Sequence, residues 1–106
     1  MNFSELAENI SLEEDEFFEL VELFVKTSAS DLDRLQSAIH GGHTQQAVEA
    51  AHSVKGAAGS LGFTEIYDIA KAIEEKAGQN SLEGASQALK AIRDRYDQIA
   101  EALRTK

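Results

Sequence analysis

Ala51-His52-Ser53-Val54-Lys55-Gly56-Ala57-Ala58-Gly59-Ser60-Leu61-Gly62 is the stretch on which the reading of this chain turns. At about 100° per residue, a helix through it sets Lys55 near −60°, Gly56 near +40° and Gly59 near −20° of His52. Ala47, Ala51, Val54, Ala58 and Leu61 gather on the opposite side. One face is therefore apolar, and the other is a bare strip holding a single imidazole. Each glycine inside a helix costs about 1 kcal/mol relative to alanine, so Gly56 and Gly59 weaken the segment. Helical side chains lean toward the N-terminus, which lets Lys55 lay its ammonium back over His52. The two glycines leave an open floor beside the ring. Ordinary readings stand beside this one: a solvated surface histidine, and glycines kept for close helix packing.

Outward from this stretch the pattern stays helical. Thr44 caps a helix from about Gln45 to Leu61, and Gly62 closes it. Thr64 caps the next, with Ile66, Ile69, Ala70, Ile73 and Ala77 at helical spacing, and Gly78 to Asn80 turns the chain. Ser81 is the expected cap of the last helix, where Leu82, Ala85, Leu89, Ile92, Tyr96, Ile99 and Leu103 step by three and four without a slip. That seam suits the inner face of a bundle better than a coiled coil between chains, because three other amphipathic helices accompany it. A monomer is expected.

On the N-terminal side, Phe17, Leu20, Val21, Phe24, Ser28, Leu32, Leu35 and Ile39 recur at steps of three and four, and Gly41-Gly42 ends the run. Ser11 and Glu14 form a capping-box pattern that predicts a start near Leu12, with Glu13-Glu14-Asp15-Glu16 complementing the dipole of the first turn. Thr27-Ser28-Ala29-Ser30-Asp31 reads either as a second cap or as a polar patch in one long helix from Leu12 to Ile39. The unbroken apolar phase favours one helix. Residues 3–9 read as a short amphipathic turn or helix.

Composition bounds the rest. A chain of 106 residues has room for one domain, 1–106, around a modest core. The net charge of −9 argues against nucleic acid, which calls for a basic face. With no cysteine, thiolate metal sites, disulfides and cysteine nucleophiles are excluded. No apolar run is long enough to span a bilayer, and no signal peptide opens the chain, so no membrane and a cytoplasmic location are expected. Met1 leans toward a free-standing protein, and a segment of a longer one stays open as the alternative. Zero prolines, with abundant alanine, leucine, glutamate and lysine, point to an all-α fold. His40 and His43 flank the glycine pair, but no third ligand accompanies them, and no metal site is expected. Gly56-x-x-Gly59-x-x-Gly62 is no phosphate-binding P-loop, since it lacks the preceding strand and the Gly-Lys-Ser/Thr ending.

The turn at Gly62-Phe63 yields one geometric expectation. Two helices folded back about residue 63 place equidistant positions at one height, and His52 and Glu74 each stand eleven residues from Phe63. A carboxylate there accepts the Nδ1 proton, fixes the tautomer and leaves Nε2 as a free nucleophile. The competing reading is an ordinary exposed glutamate in a Glu74-Glu75-Lys76 run.

His52-Ser53-Val54-Lys55-Gly56, with its small residues running on to Leu61-Gly62, resembles the signature of histidine-containing phosphotransfer (HPt) domains. These are helical modules that relay phosphoryl groups in two-component signalling. The resemblance implies an antiparallel up-down four-helix bundle with a short extra N-terminal helix, carrying the phosphoryl group on His52. It implies that Lys55 neutralises phosphoryl charge and that Glu74 takes the place of a glutamine or glutamate that bonds the active histidine, as in chemotaxis-kinase domains. Val48, Gly56 and Gly59 are then docking contacts. Partners would be response-regulator receiver domains and a sensor or hybrid histidine kinase. Mg²⁺ and the acidic pocket would come from the receiver, so the chain is expected to be a phosphocarrier without a cofactor rather than an enzyme. The alternatives are a helical module that binds receivers or a kinase without being phosphorylated, and a domain fed by an ATP-dependent kinase in trans.

Overall fold

The computed structural model describes residues 2–105. Among them the chain forms five helices and no strand: α1 (Phe3–Asn9), α2 (Glu14–Gly41), α3 (Thr44–Ser60), α4 (Thr64–Gly78) and α5 (Ala85–Arg104). The 28 residues of α2 set the long dimension of 41 Å, close to the ~42 Å that its helical rise dictates. α2 packs on α3, α3 on α4, α4 on α5 and α5 on α2, and α1 packs on α2. Short connections make the neighbours antiparallel, an up-down bundle of four with one extra helix. The Thr44 hydroxyl donates to Asn80 Oδ1 at 3.2 Å, tying the α2–α3 turn to the α4–α5 turn at the same end.

α2 is one continuous helix. The Thr27 hydroxyl bonds back to the Leu23 carbonyl at 2.9 Å and Ser28 is buried, so the polar patch is absorbed without a break. The helix begins at Glu14, two residues later than Ser11 suggests. Ser11 instead takes a left-handed φ of 59° in the turn after α1, and the box is built by Glu13 and Glu16, whose carboxylate accepts the Glu13 N–H at 3.3 Å. The last helix also starts late. The Ser81 N–H closes the end of α4 on the Lys76 carbonyl, its hydroxyl accepts from the Glu83 N–H, and α5 opens only after Gly84 at φ 75°. Thr44 and Thr64 are first helical residues rather than caps, those places falling to His43 and Phe63. Gly62, at φ 79°, lets the Phe63 N–H reach back to the Ala58 carbonyl at 3.0 Å and reverses the chain.

The core has two halves. Phe24 stacks on Phe63 and Tyr96, with centroids 5.4 and 5.1 Å apart, while Phe17 joins Phe3 and Phe63 at 6.0 and 6.3 Å. Along α3 the buried side chains are Ala47, Ala50, Ala51, Val54 and Ala58, small enough for close approach of its neighbours. Two expected core positions of α2 differ: Leu20 is exposed, and Ala38 is buried where Ile39 is only half covered. No helix among the described residues is long and apolar enough to cross a membrane.

Tyr96 is buried beside Ser28, with no well-formed partner for its hydroxyl, and burial pushes its pKa up to about 12. Ile92 is wholly buried in hydrocarbon. Ile92→Ala is expected to cost about 2–5 kcal/mol, whereas Tyr96→Phe costs nothing or stabilises by up to about 1 kcal/mol. Urea unfolding of the three proteins checks this contrast.

Candidate functional site

The site lies along the seam between α3 and α4. His52 projects from the middle of α3 with 67% of its side chain exposed, on the face opposite the buried Ala51, Val54 and Ala58. Its Nδ1 lies 2.8 Å from Glu74 Oε2 on α4. The Gly62 reversal sets the register that makes this possible. An ionised carboxylate has no proton to give, so Nδ1–H donates and, in the neutral ring, the lone pair resides on Nε2. Nε2 is thereby the nitrogen available to an approaching electrophile.

Glu74 holds a second partner. Lys55 Nζ stands 2.6 Å from Glu74 Oε1, so one carboxylate bridges the imidazole and the ammonium. Glu74 is mostly covered, at 19% exposure, and the pair is correspondingly shielded from solvent. The Lys55 bond, aided by the His52 bond, holds Glu74 below the ordinary glutamate value of 4.5, against the opposing effect of desolvation. The same Glu74 bond raises Lys55 above 10.5. Geometry from sequence places Lys55 over His52. The structure places its ammonium on the acid instead, still beside the ring.

The two glycines differ. A Cβ at Gly56 would meet nothing within 4 Å, and this residue is the exposed open floor. A Cβ at Gly59 would lie 3.1 Å from Tyr67 Cδ2 and 3.4 Å from Cε2, so Gly59 is where the Tyr67 ring packs down from α4. Tyr67 escaped the sequence reading. It stands seven residues before Glu74, two turns along one face of α4, as Gly59 stands seven after His52. Val48, one turn before His52, is partly covered by the core rather than fully exposed. His40 and His43 join no cluster, and no group of three or more His, Cys, Asp or Glu residues able to hold a metal occurs among the described residues.

A family model described as the Hpt domain matches residues 19–102. Among solved structures, the chain is similar to the crystal structure of histidine-containing phosphotransfer protein B (HptB) from Pseudomonas aeruginosa PAO1. The TM-score is 0.82 and the identity 26%, covering 94% of this chain and 87% of that one. No curated protein matches in sequence.

Because Glu74 titrates lower in the folded protein, its contribution is full above about pH 4.5 and is lost as pH falls through its depressed value. The stability advantage of wild type over Glu74→Gln is therefore expected to shrink from about pH 7 to about pH 3, read as urea midpoints across that range. Gly56→Ala is expected to raise stability by about 1 kcal/mol, while Gly59→Ala gains less because the Tyr67 ring must shift.

Proposed function

The chain belongs to the Hpt domain family and acts in histidine phosphotransfer within phosphorelay signalling; from that premise we propose that His52 carries the phosphoryl group, on Nε2. The observation behind this is the Nδ1–Glu74 bond on an imidazole that is otherwise open to solvent. In the forward step the Nε2 lone pair attacks the phosphorus of a receiver's aspartyl phosphate. The N–P bond forms, the acyl P–O bond breaks, and the electron pair leaves on the aspartate carboxylate. A second receiver's aspartate reverses the step and restores the neutral ring.

Such transfers depend on positioning and on neutralising the charge of the moving group. Glu74 supplies the first, by fixing ring orientation and tautomer. Lys55 supplies the second: it is held by the same carboxylate that bonds the ring, and its ammonium offers charge to the moving group. Gly56 admits the receiver close to the histidine, and Val48 and Gly59 extend that contact along α3. The partners are receiver domains and a histidine kinase, with Mg²⁺ held by the acidic pocket of the receiver. The chain itself is a phosphocarrier, not a self-sufficient enzyme.

A second reading keeps every packing feature and drops the chemistry: a helical module that binds receivers without being phosphorylated. Incubation with a phosphorylated receiver and Mg²⁺ separates the two. Wild type is expected to become labelled with acid-labile, alkali-stable phosphate, His52→Gln to stay unlabelled, and Lys55→Met to label at least about tenfold more slowly. Equal labelling of wild type and His52→Gln assigns the phosphate elsewhere. Gly56→Ala is expected to label normally with the small donor phosphoramidate but slowly from the receiver, since only docking needs the open floor.

A further inference from the structure

The four helices pack in a ring, so the α2–α5 seam lies on the side of the bundle away from the α3–α4 seam that holds His52. Along that far seam runs a groove of about 240 Å³, lined by Gln36, Ile39 and His40 from α2 and by Leu89, Lys90 and Arg93 from α5. Its floor is apolar, with Leu89 buried and Ile39 half covered, and its rim is cationic. Arg93 donates to Gln36 Oε1 at 2.8 Å and forms an ion pair with Asp33 Oδ1 at 3.3 Å, which fixes its place. The Lys90 and His40 side chains have no ion-pair or hydrogen-bond partner among the described residues. With Arg93 balanced by its ion pair to Asp33, the unpaired Lys90 leaves this rim net positive on a chain of net charge −9.

The sequence around the groove shares that character. From Arg34 to Val48, and again from Gly84 to Arg93, there is no aspartate or glutamate, although the chain carries 19. The run from Ala50 to Thr64, which bears His52, is likewise free of acids. Acidic residues are thus absent from two stretches of chain, one beside the groove and one on α3 around His52, and the acids that do reach these places, Asp33 and Glu74, are each bonded to a basic side chain. Such withdrawal removes like-charge repulsion toward a negative partner and raises its association rate.

We propose that the α2–α5 groove is a second docking surface, occupied by an acidic amphipathic segment of a partner protein. Apolar side chains of that segment lie on Ile39 and Leu89, and its carboxylates pair with Lys90 and Arg93. A partner seated there leaves His52 clear, so the carrier can be held by one protein while it exchanges phosphate with another.

The test uses the full chain, ¹⁵N-labelled and unphosphorylated, so its outcome does not depend on the role of His52. The probe is a synthetic peptide of alternating glutamate and leucine, added at low salt. Saturable amide shifts confined to residues 36–40 and 86–93 are expected. Lys90→Glu is expected to weaken binding about tenfold and Lys90→Gln about threefold, while Lys26→Glu, with the same change in net charge as Lys90→Glu, changes it by less than about twofold. Thermal melts of the three variants establish that each is folded. The proposal is overturned by an absence of saturable shifts, by shifts along α3 and α4, or by equal weakening in Lys26→Glu. Inorganic phosphate giving the same shifts at the same concentration would make this a small-anion site and overturn it too.

Discussion

One carboxylate holds the functional face together. Glu74 bonds an imidazole with one oxygen and an ammonium with the other, and both partners come from the neighbouring helix. A histidine left alone on a helix surface has two neutral tautomers and free rotation about its side-chain bonds. Bonded at Nδ1, it has one tautomer and one aim. The lysine restrains the acid in turn, so an exposed histidine is tied to two mostly covered side chains through one carboxylate. The chemistry open to Nε2 follows from that restraint.

The turn and the packing between α3 and α4 set the register that makes the bridge possible. Gly62 reverses the chain in a left-handed conformation, and its neighbours Leu61 and Phe63 are both buried, which pins the turn to the core. Alanines along α3 let α4 approach closely, and the Tyr67 ring settles on Gly59 two turns from the bridge. A slip of one residue in this seam would rotate Glu74 by about 100° away from the histidine. The aromatic cluster of Phe17, Phe24, Phe63 and Tyr96 resists such a slip, because a ring moved by one position loses its shaped contacts.

Much of this was legible in the chain because it depends on period and distance. Equal separation from Phe63 pairs His52 with Glu74 once a short antiparallel connection is granted, and helical stepping identifies most of the core. What the letters did not carry was competition between local bonds. Ser11 and Ser81 have the composition of caps, yet each is drawn into the end of the preceding helix, where backbone groups of α1 and α4 still need partners. Leu20 keeps the apolar rhythm but stands about 60° from Phe17 on the wheel, on the side turned away from the core. The Lys55–Glu74 bond turns on side-chain rotamers, and Tyr67 over Gly59 on how closely two helices approach. The first has no signature in spacing, whereas Gly59 and Tyr67 stand equally far from Phe63, as His52 and Glu74 do.

The glycines show how stability and function are divided along one helix. Gly59 has a neighbour that needs the space, so packing alone accounts for its lacking a side chain. Gly56 has none, and an alanine there would fit and strengthen the helix, so the fold gives no reason for it. Its carbonyl accepts from the Ser60 hydroxyl at 3.0 Å, a bond that an alanine would keep, so the open side of the residue is what the proposed docking would use. Its position, one turn from the imidazole on the open side, is where the phosphotransfer proposed for His52 would bring a second protein toward Nε2. The helix that carries the histidine is thus less stable than its neighbours allow, on the strip that the proposal assigns to docking.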